Sequence, residues 1–187
     1  SGKAIFNGIV GAGGANNDIG EIDITGILDL NAAIGTTAVR GATSLAVSGI
    51  STLDADVNTT GTQTYTSGVT LGTGARILKA GSTGVTFSST LAGGTQNLTI
   101  TGNAVFGGNA TGLGALDVTG TLAANATNIT ATNESITVQG TTTIADGITL
   151  VVDSGTADKD ITFAAITAGD DAGQNLTIDA GTNASTQ

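Results

Sequence analysis

Ten apolar-polar-apolar triplets recur along the chain and constrain its fold more than any other feature: Ile22-Asp23-Ile24, Leu45-Ala46-Val47, Val69-Thr70-Leu71, Val85-Thr86-Phe87, Leu98-Thr99-Ile100, Leu116-Asp117-Val118, Ile136-Thr137-Val138, Ile148-Thr149-Leu150, Ile161-Thr162-Phe163 and Leu176-Thr177-Ile178. Side chains alternate between the two sides of a strand, so each triplet reads as a short strand with its apolar pair facing inward. The triplets begin about 17 residues apart on average, at intervals of 12 to 24, and Gly or Asn punctuates nearly every gap. Those residues supply the positive-φ positions of tight turns. No stretch sustains an i, i+3, i+4, i+7 apolar stripe. The expectation is an all-β chain whose strands are too short to stand alone.

Longer self-similarity refines this. Ala4-Ile5-Phe6-Asn7-Gly8 recurs as Ala104-Val105-Phe106-Gly107-Gly108, and Ile19 to Gly26 recurs as Leu113 to Gly120. Gly61 to Tyr65, Gly68 to Leu71, Val85 to Phe87 and Gln96 to Ile100 have counterparts at Gly140 to Ile144, Gly147 to Leu150, Ile161 to Phe163 and Gln174 to Ile178. Two units result, 1–103 and 104–187, the second continuous with the first. The offset between copies falls from 94 to 79 between Thr119 and Gly140. A solenoid tolerates such a loss by restacking its neighbours, whereas a β-sandwich loses part of its core. A parallel β-helix is therefore expected, with tandem immunoglobulin-like sandwiches as the alternative. Phe87 and Phe163 are expected at equivalent coil positions in the two copies.

Composition agrees and excludes several functions. The chain has 30 Gly but no Pro, Cys, Met, Trp or His. Without imidazole or thiol there is no thiolate or His-ligated metal site, no Ser-His-Asp triad and no cysteine nucleophile. A net charge of −10 repels a phosphate backbone, so nucleic acid is not an expected partner. No apolar run is long enough for a signal peptide or a membrane span, so membrane insertion is not expected and any leader would already be removed. The chain starts and stops near a repeat boundary, which suggests an excerpt from an array or a subunit that stacks end to end.

The run Thr60-Gly61-Thr62-Gln63-Thr64-Tyr65-Thr66-Ser67-Gly68-Val69-Thr70-Leu71, followed by Gly84 to Phe87 and Gly94 to Ile100, resembles the repeats of filamentous-haemagglutinin-like and autotransporter-like bacterial surface adhesins. The resemblance implies a right-handed parallel β-helix, secretion to the cell surface, and a role as a stalk or filament.

Individual sites are weak. Asp54, Asp56 and Asn58 resemble the start of a calcium loop, but Thr59 stands where that loop needs Gly and Tyr65 where it needs Glu. Gly13 to Ile19 resembles a single calcium nonapeptide, and Asp153, Asp158, Asp160, Asp170 and Asp171 flank two triplets as solvated charges. Calcium is the one cofactor these residues suggest. Asn-x-Ser/Thr occurs at Asn58, Asn97, Asn109, Asn125, Asn128, Asn133, Asn175 and Asn183. Alternation places Asn97 and Asn175 outward, beside buried Leu98 and Leu176, as candidates for glycosylation or for hydrogen-bonded Asn or Thr ladders.

No catalytic residue is expected: Glu21 and Glu134 are the only Glu, and aromatic sugar platforms are lacking. The leading expectation is a secreted structural rod that self-associates end to end, with host or surface glycans as further partners. The alternatives are an ice- or glycan-binding solenoid, to which Thr62-Gln63-Thr64 and Thr141-Thr142-Thr143 point, and a polysaccharide-processing β-helix enzyme.

Overall fold

The computed structural model describes residues 2–11, 19–36, 39, 41–81, 83–156, 158–170 and 173–181. These residues form 21 strands and no helix, stacked as a β-solenoid of about seven turns. The chain opens with β1 (Lys3–Phe6), β2 (Ile19–Ile24) and β3 (Ile27–Leu30). Two full coils follow: β4 (Ala42–Val47), β5 (Ser51–Leu53) and β6 (Val57–Asn58), then β7 (Gln63–Tyr65), β8 (Val69–Leu71) and β9 (Arg76–Lys79). Next come β10 (Val85–Phe87), β11 (Leu91–Ala92), β12 (Leu98–Thr101), β13 (Ala104–Phe106), β14 (Ala110–Leu113) and β15 (Leu116–Val118). The last stretch holds β16 (Leu122–Ala124), β17 (Asn128–Ala131), β18 (Ile136–Ile144), β19 (Thr149–Asp153), β20 (Ile161–Ala168) and β21 (Asn175–Asp179).

Every strand pairing among the described residues is parallel, and the pairings sort into three faces. The first face stacks β2, β4, β7, β10, β13, β16 and the C-terminal halves of β18 and β20. The second stacks the nine strands β1, β3, β5, β8, β11, β14, β17, β19 and β21. The third stacks β6, β9, β12, β15 and the N-terminal halves of β18 and β20, and is begun by bridges from Val10 to Ile34 and from Ile34 to Val57. β18 and β20 are long because they pass through the corner between the third and first faces without a break.

Inward positions carry the core. On the first face Tyr65, Phe87 and Phe106 lie in one register column and are fully buried. The Tyr65 and Phe87 rings stack with centroids 5.4 Å apart and planes 12° apart, and Phe106 tilts by 51° at 5.7 Å. Volume is balanced within a coil: Phe106 shares its coil with Ala104 and Ala110, both buried. A narrow interior filled this way has no space for further large rings, which accounts for the 3% aromatic content.

Strands pair straight across the boundary at 103/104, β10 with β13 and β11 with β14. Several matched segments nevertheless occupy different faces. Ala4 to Phe6 lies on the second face and Ala104 to Phe106 on the first. Phe87 and Phe163 are not at equivalent positions: Phe87 stacks on the first face, whereas Phe163 pairs with Val138 on the third and is half-buried. Leu176, expected to be buried, is 36% exposed, because among the described residues no further strand covers β21.

Candidate functional site

A β-solenoid can carry chemistry at its polar corners, on its outer surface or at the two ends of its stack. At the corners, asparagine side chains join one coil to the next. Asn97, Asn103 and Asn109 occupy three successive corners of one coil, and each Oδ1 accepts the backbone N–H of the residue 18 positions on: Ala115 at 2.8 Å, Thr121 at 3.0 Å and Thr127 at 3.1 Å. Asn133 accepts the N–H of Thr156 in the same manner at 2.9 Å. The expected ladders thus take mainly a side-chain-to-backbone form, with side-chain pairs at Asn7–Asn31, 2.8 Å, and Thr143–Thr167, 3.1 Å. Sequence reasoning missed the six-residue spacing of Asn97, Asn103 and Asn109, followed in each case by inward Leu98, Ala104 or Ala110. That spacing was visible in the chain.

The calcium-loop residues are engaged with the backbone of the following coil or with a nearby loop. Asp54 Oδ1 accepts the N–H of Thr73 at 3.0 Å, and Asp56 Oδ1 accepts the N–H of Ile77 at 2.9 Å beside the Arg76 guanidinium at 3.9 Å. Asn58 is buried and donates to the carbonyls of Thr36 and Val39. Among the described residues there is no group of three or more His, Cys, Asp or Glu that could hold a metal ion. Of Gly13 to Ile19, all but Ile19 lie outside the described residues, as do Asp171 and Asn183. Asp153 and Asp179 face each other in register, and each accepts a glycine N–H of its own turn, Gly155 at 2.6 Å and Gly181 at 2.9 Å. Asp158, Asp160 and Asp170 are exposed, and Glu134 pairs with Lys159 at 3.7 Å.

Asn97 and Asn175 are both exposed. Asn97 is tied down through Oδ1, and Asn175 Nδ2 donates to Thr149 Oγ1 at 3.4 Å. Thr62, Thr64, Thr141 and Thr143 point outward on the first face, while Gln63 and Thr142 between them are buried. Val105 and Ala123 interrupt the Thr column between Thr86 and Thr143.

A cleft of about 240 Å³ opens on the outer side of the third face, among Ile9, Ile34, Asp56, Asn58, Ile77 and Lys79. Its carboxylate already serves the Ile77 N–H. Inside the solenoid, Gln63 Nε2 donates to the carbonyls of Lys79 at 2.9 Å and Val57 at 3.2 Å, while burial pushes the Tyr65 phenol well above its ordinary pKa.

The ends differ from the middle. Of the seven large apolar side chains left exposed among the described residues, Ile5, Ile9 and Ile19 lie in the first coils and Ile166, Leu176 and Ile178 in the last. Ile50 is the exception, at 57% exposure on a corner.

Fold and surface together define a parallel β-solenoid. Comparison with known proteins finds no matching family model, no matching curated protein and no matching solved structure. The adhesin resemblance is carried by the residue pattern alone. No helix of the described residues is long and apolar enough to cross a membrane.

Proposed function

We propose that the chain is a non-enzymatic structural module, a secreted β-solenoid rod that extends by end-to-end stacking into an extracellular filament or adhesin stalk. The observation that supports this most is the concentration of exposed large apolar side chains in the first and last coils. Among the described residues, β1 and β2 at one end and β20 and β21 at the other each keep one parallel edge without a neighbouring strand, a template for further pairing. Both edges display the first and second faces, so one copy stacks on the next by the same parallel step that joins its own coils. The carboxylates fit this reading, because Asp54, Asp56, Asp153 and Asp179 each accept a backbone N–H.

Negative-stain electron microscopy tests the reading with wild type beside a Leu176→Lys/Ile178→Lys variant. The expected result is uniform fibres from wild type and short particles from the variant. Dispersed single-chain particles from wild type at high concentration would overturn end stacking.

A further inference from the structure

Each face carries a register column that runs the length of the stack. On the second face it runs from Ala4 in β1 to Ile178 in β21. On the first face a column runs from Ile22 to Ile166. On the third it runs from Val10 to Phe163. The two ends of the second face differ in charge. At β1 the Lys3 ammonium lies 2.7 Å from the carboxylate of Asp29, which stands two residues beyond Ile27, the register partner of Lys3. At β21 Asp179 faces Asp153 in register, and among the described residues no cation pairs with either carboxylate.

We propose that copies join head to tail in this same register, with Lys3 of one copy held between its own Asp29 and Asp179 of the neighbouring copy. This joint rests on the end stacking proposed above and fixes its polarity, its register and its charged contact. One further parallel step of about 4.8 Å sets Ile178 beside the neighbour's Ala4, Ile166 beside its Ile22 and Phe163 beside its Val10. Apolar side chains then meet apolar side chains on all three faces. The same step sets Thr177 beside Lys3, because Thr177 precedes Ile178 as Lys3 precedes Ala4. Asp179 then stands two residues beyond Thr177, the position that Asp29 holds relative to Ile27 on the other side of Lys3. Lys3 gains a second carboxylate in the geometry it already uses, and Asp179 gains a cation in place of the like charge of Asp153 alone. On the first face, Ala165 and Thr167 flank Ile166 as Glu21 and Asp23 flank Ile22, so the neighbour's two acids meet no carboxylate there. A head-to-tail joint is heterologous and repeats without closing.

Within one chain Lys3 and Asp179 sit at opposite ends of nine stacked strands, roughly 40 Å apart, so any coupling between them in assembly acts between copies. The critical concentration for fibre formation, read by pelleting the full chain and imaging the pellet, tests the joint. Lys3→Gln and Asp179→Asn should each raise it about fivefold at low salt, the scale of an exposed ion pair, and the double variant should raise it no further. High salt should shrink these differences. Asp29→Asn breaks the same pair within the chain but leaves Lys3 free for the neighbour, so it should not raise the critical concentration. Lys3→Glu should suppress fibres, and Lys3→Glu/Asp179→Lys should restore them, an outcome that loosening of β1 alone cannot produce. Wild type that forms no fibres would overturn this joint together with end stacking. Fibres whose critical concentration ignores Lys3 and Asp179, strictly additive effects, or no rescue by the charge swap would overturn the joint and leave end stacking standing.

Discussion

Single residues divide into those that fill the interior and those that tie coils together. Phe87 is the central ring of three, with Tyr65 and Phe106 on either side. Phe87→Ala should cost about 3–5 kcal/mol in denaturant unfolding, because rigid neighbours leave the cavity open. Phe163→Ala should cost less, since that ring is only half-buried. Thr142 runs the other way: it is buried and its Oγ1 lacks a hydrogen-bond partner among the described residues. Thr142→Val keeps the shape and removes the desolvated hydroxyl, so it should stabilise by about 1 kcal/mol, seen as a higher melting temperature. Tyr65 gives a pH limb. Burial raises its folded-state pKa, so its contribution is whole below about pH 10, where the unfolded phenol titrates, and is lost as pH climbs beyond it. Tyr65 is the only Tyr and Trp is absent, so phenolate absorbance reports this group alone. It should appear together with alkaline unfolding, and Tyr65→Phe should flatten that limb.

Strands and corners show how far the sequence could be read. All ten triplets fall in strands, with Ile148 one residue before β19. Strands such as β7, Gln63-Thr64-Tyr65, and β16, Leu122-Ala123-Ala124, escaped the pattern because an inward amide or alanine does not register as apolar alternation. Gln63 is inward only because neighbouring coils supply carbonyls for its Nε2, a tertiary fact. Triplet spacing also misled. Coils advance by 18 residues at Asn97, close to the triplet mean, and by 24 at Thr143, yet successive triplets in β8, β10 and β12 lie on three different faces. The long-range sequence matches therefore include strands from different sides of one stack. The corner pattern is legible in the sequence, where Asn97, Asn103 and Asn109 stand six residues apart. At Gly120 a Cβ would fall 2.4 Å from Asn103 Oδ1 and 2.6 Å from the Gly102 carbonyl carbon. Gly120→Ala should cost about 1–3 kcal/mol by crowding the corner and displacing the Asn103 bond to Thr121. Asn103→Ala should cost only about 0.5–1.5 kcal/mol in the same unfolding assay, because water can reach the freed N–H.

At the scale of the molecule, a stack in which each coil touches chiefly its neighbours has stability that varies along its axis. Hydrogen exchange should be slowest at β10, β12 and β13 and fastest at β1 and β21, which among the described residues have a neighbouring strand on one side only. Equal protection along the axis of the isolated chain would contradict that gradient. In the same architecture polar side chains at the corners serve the backbone of the next coil. The absence of Pro fits too, since a ladder that continues through every coil needs an N–H at each rung. In the proposed filament this ladder continues from one copy to the next. Diffraction from aligned fibres tests it most directly. Strands lie across the rod and stack along it, so the account predicts a reflection near 4.8 Å along the fibre axis, with one subunit per full stack of coils. The same reflection directed across the fibre, or no fibres at all, would contradict it.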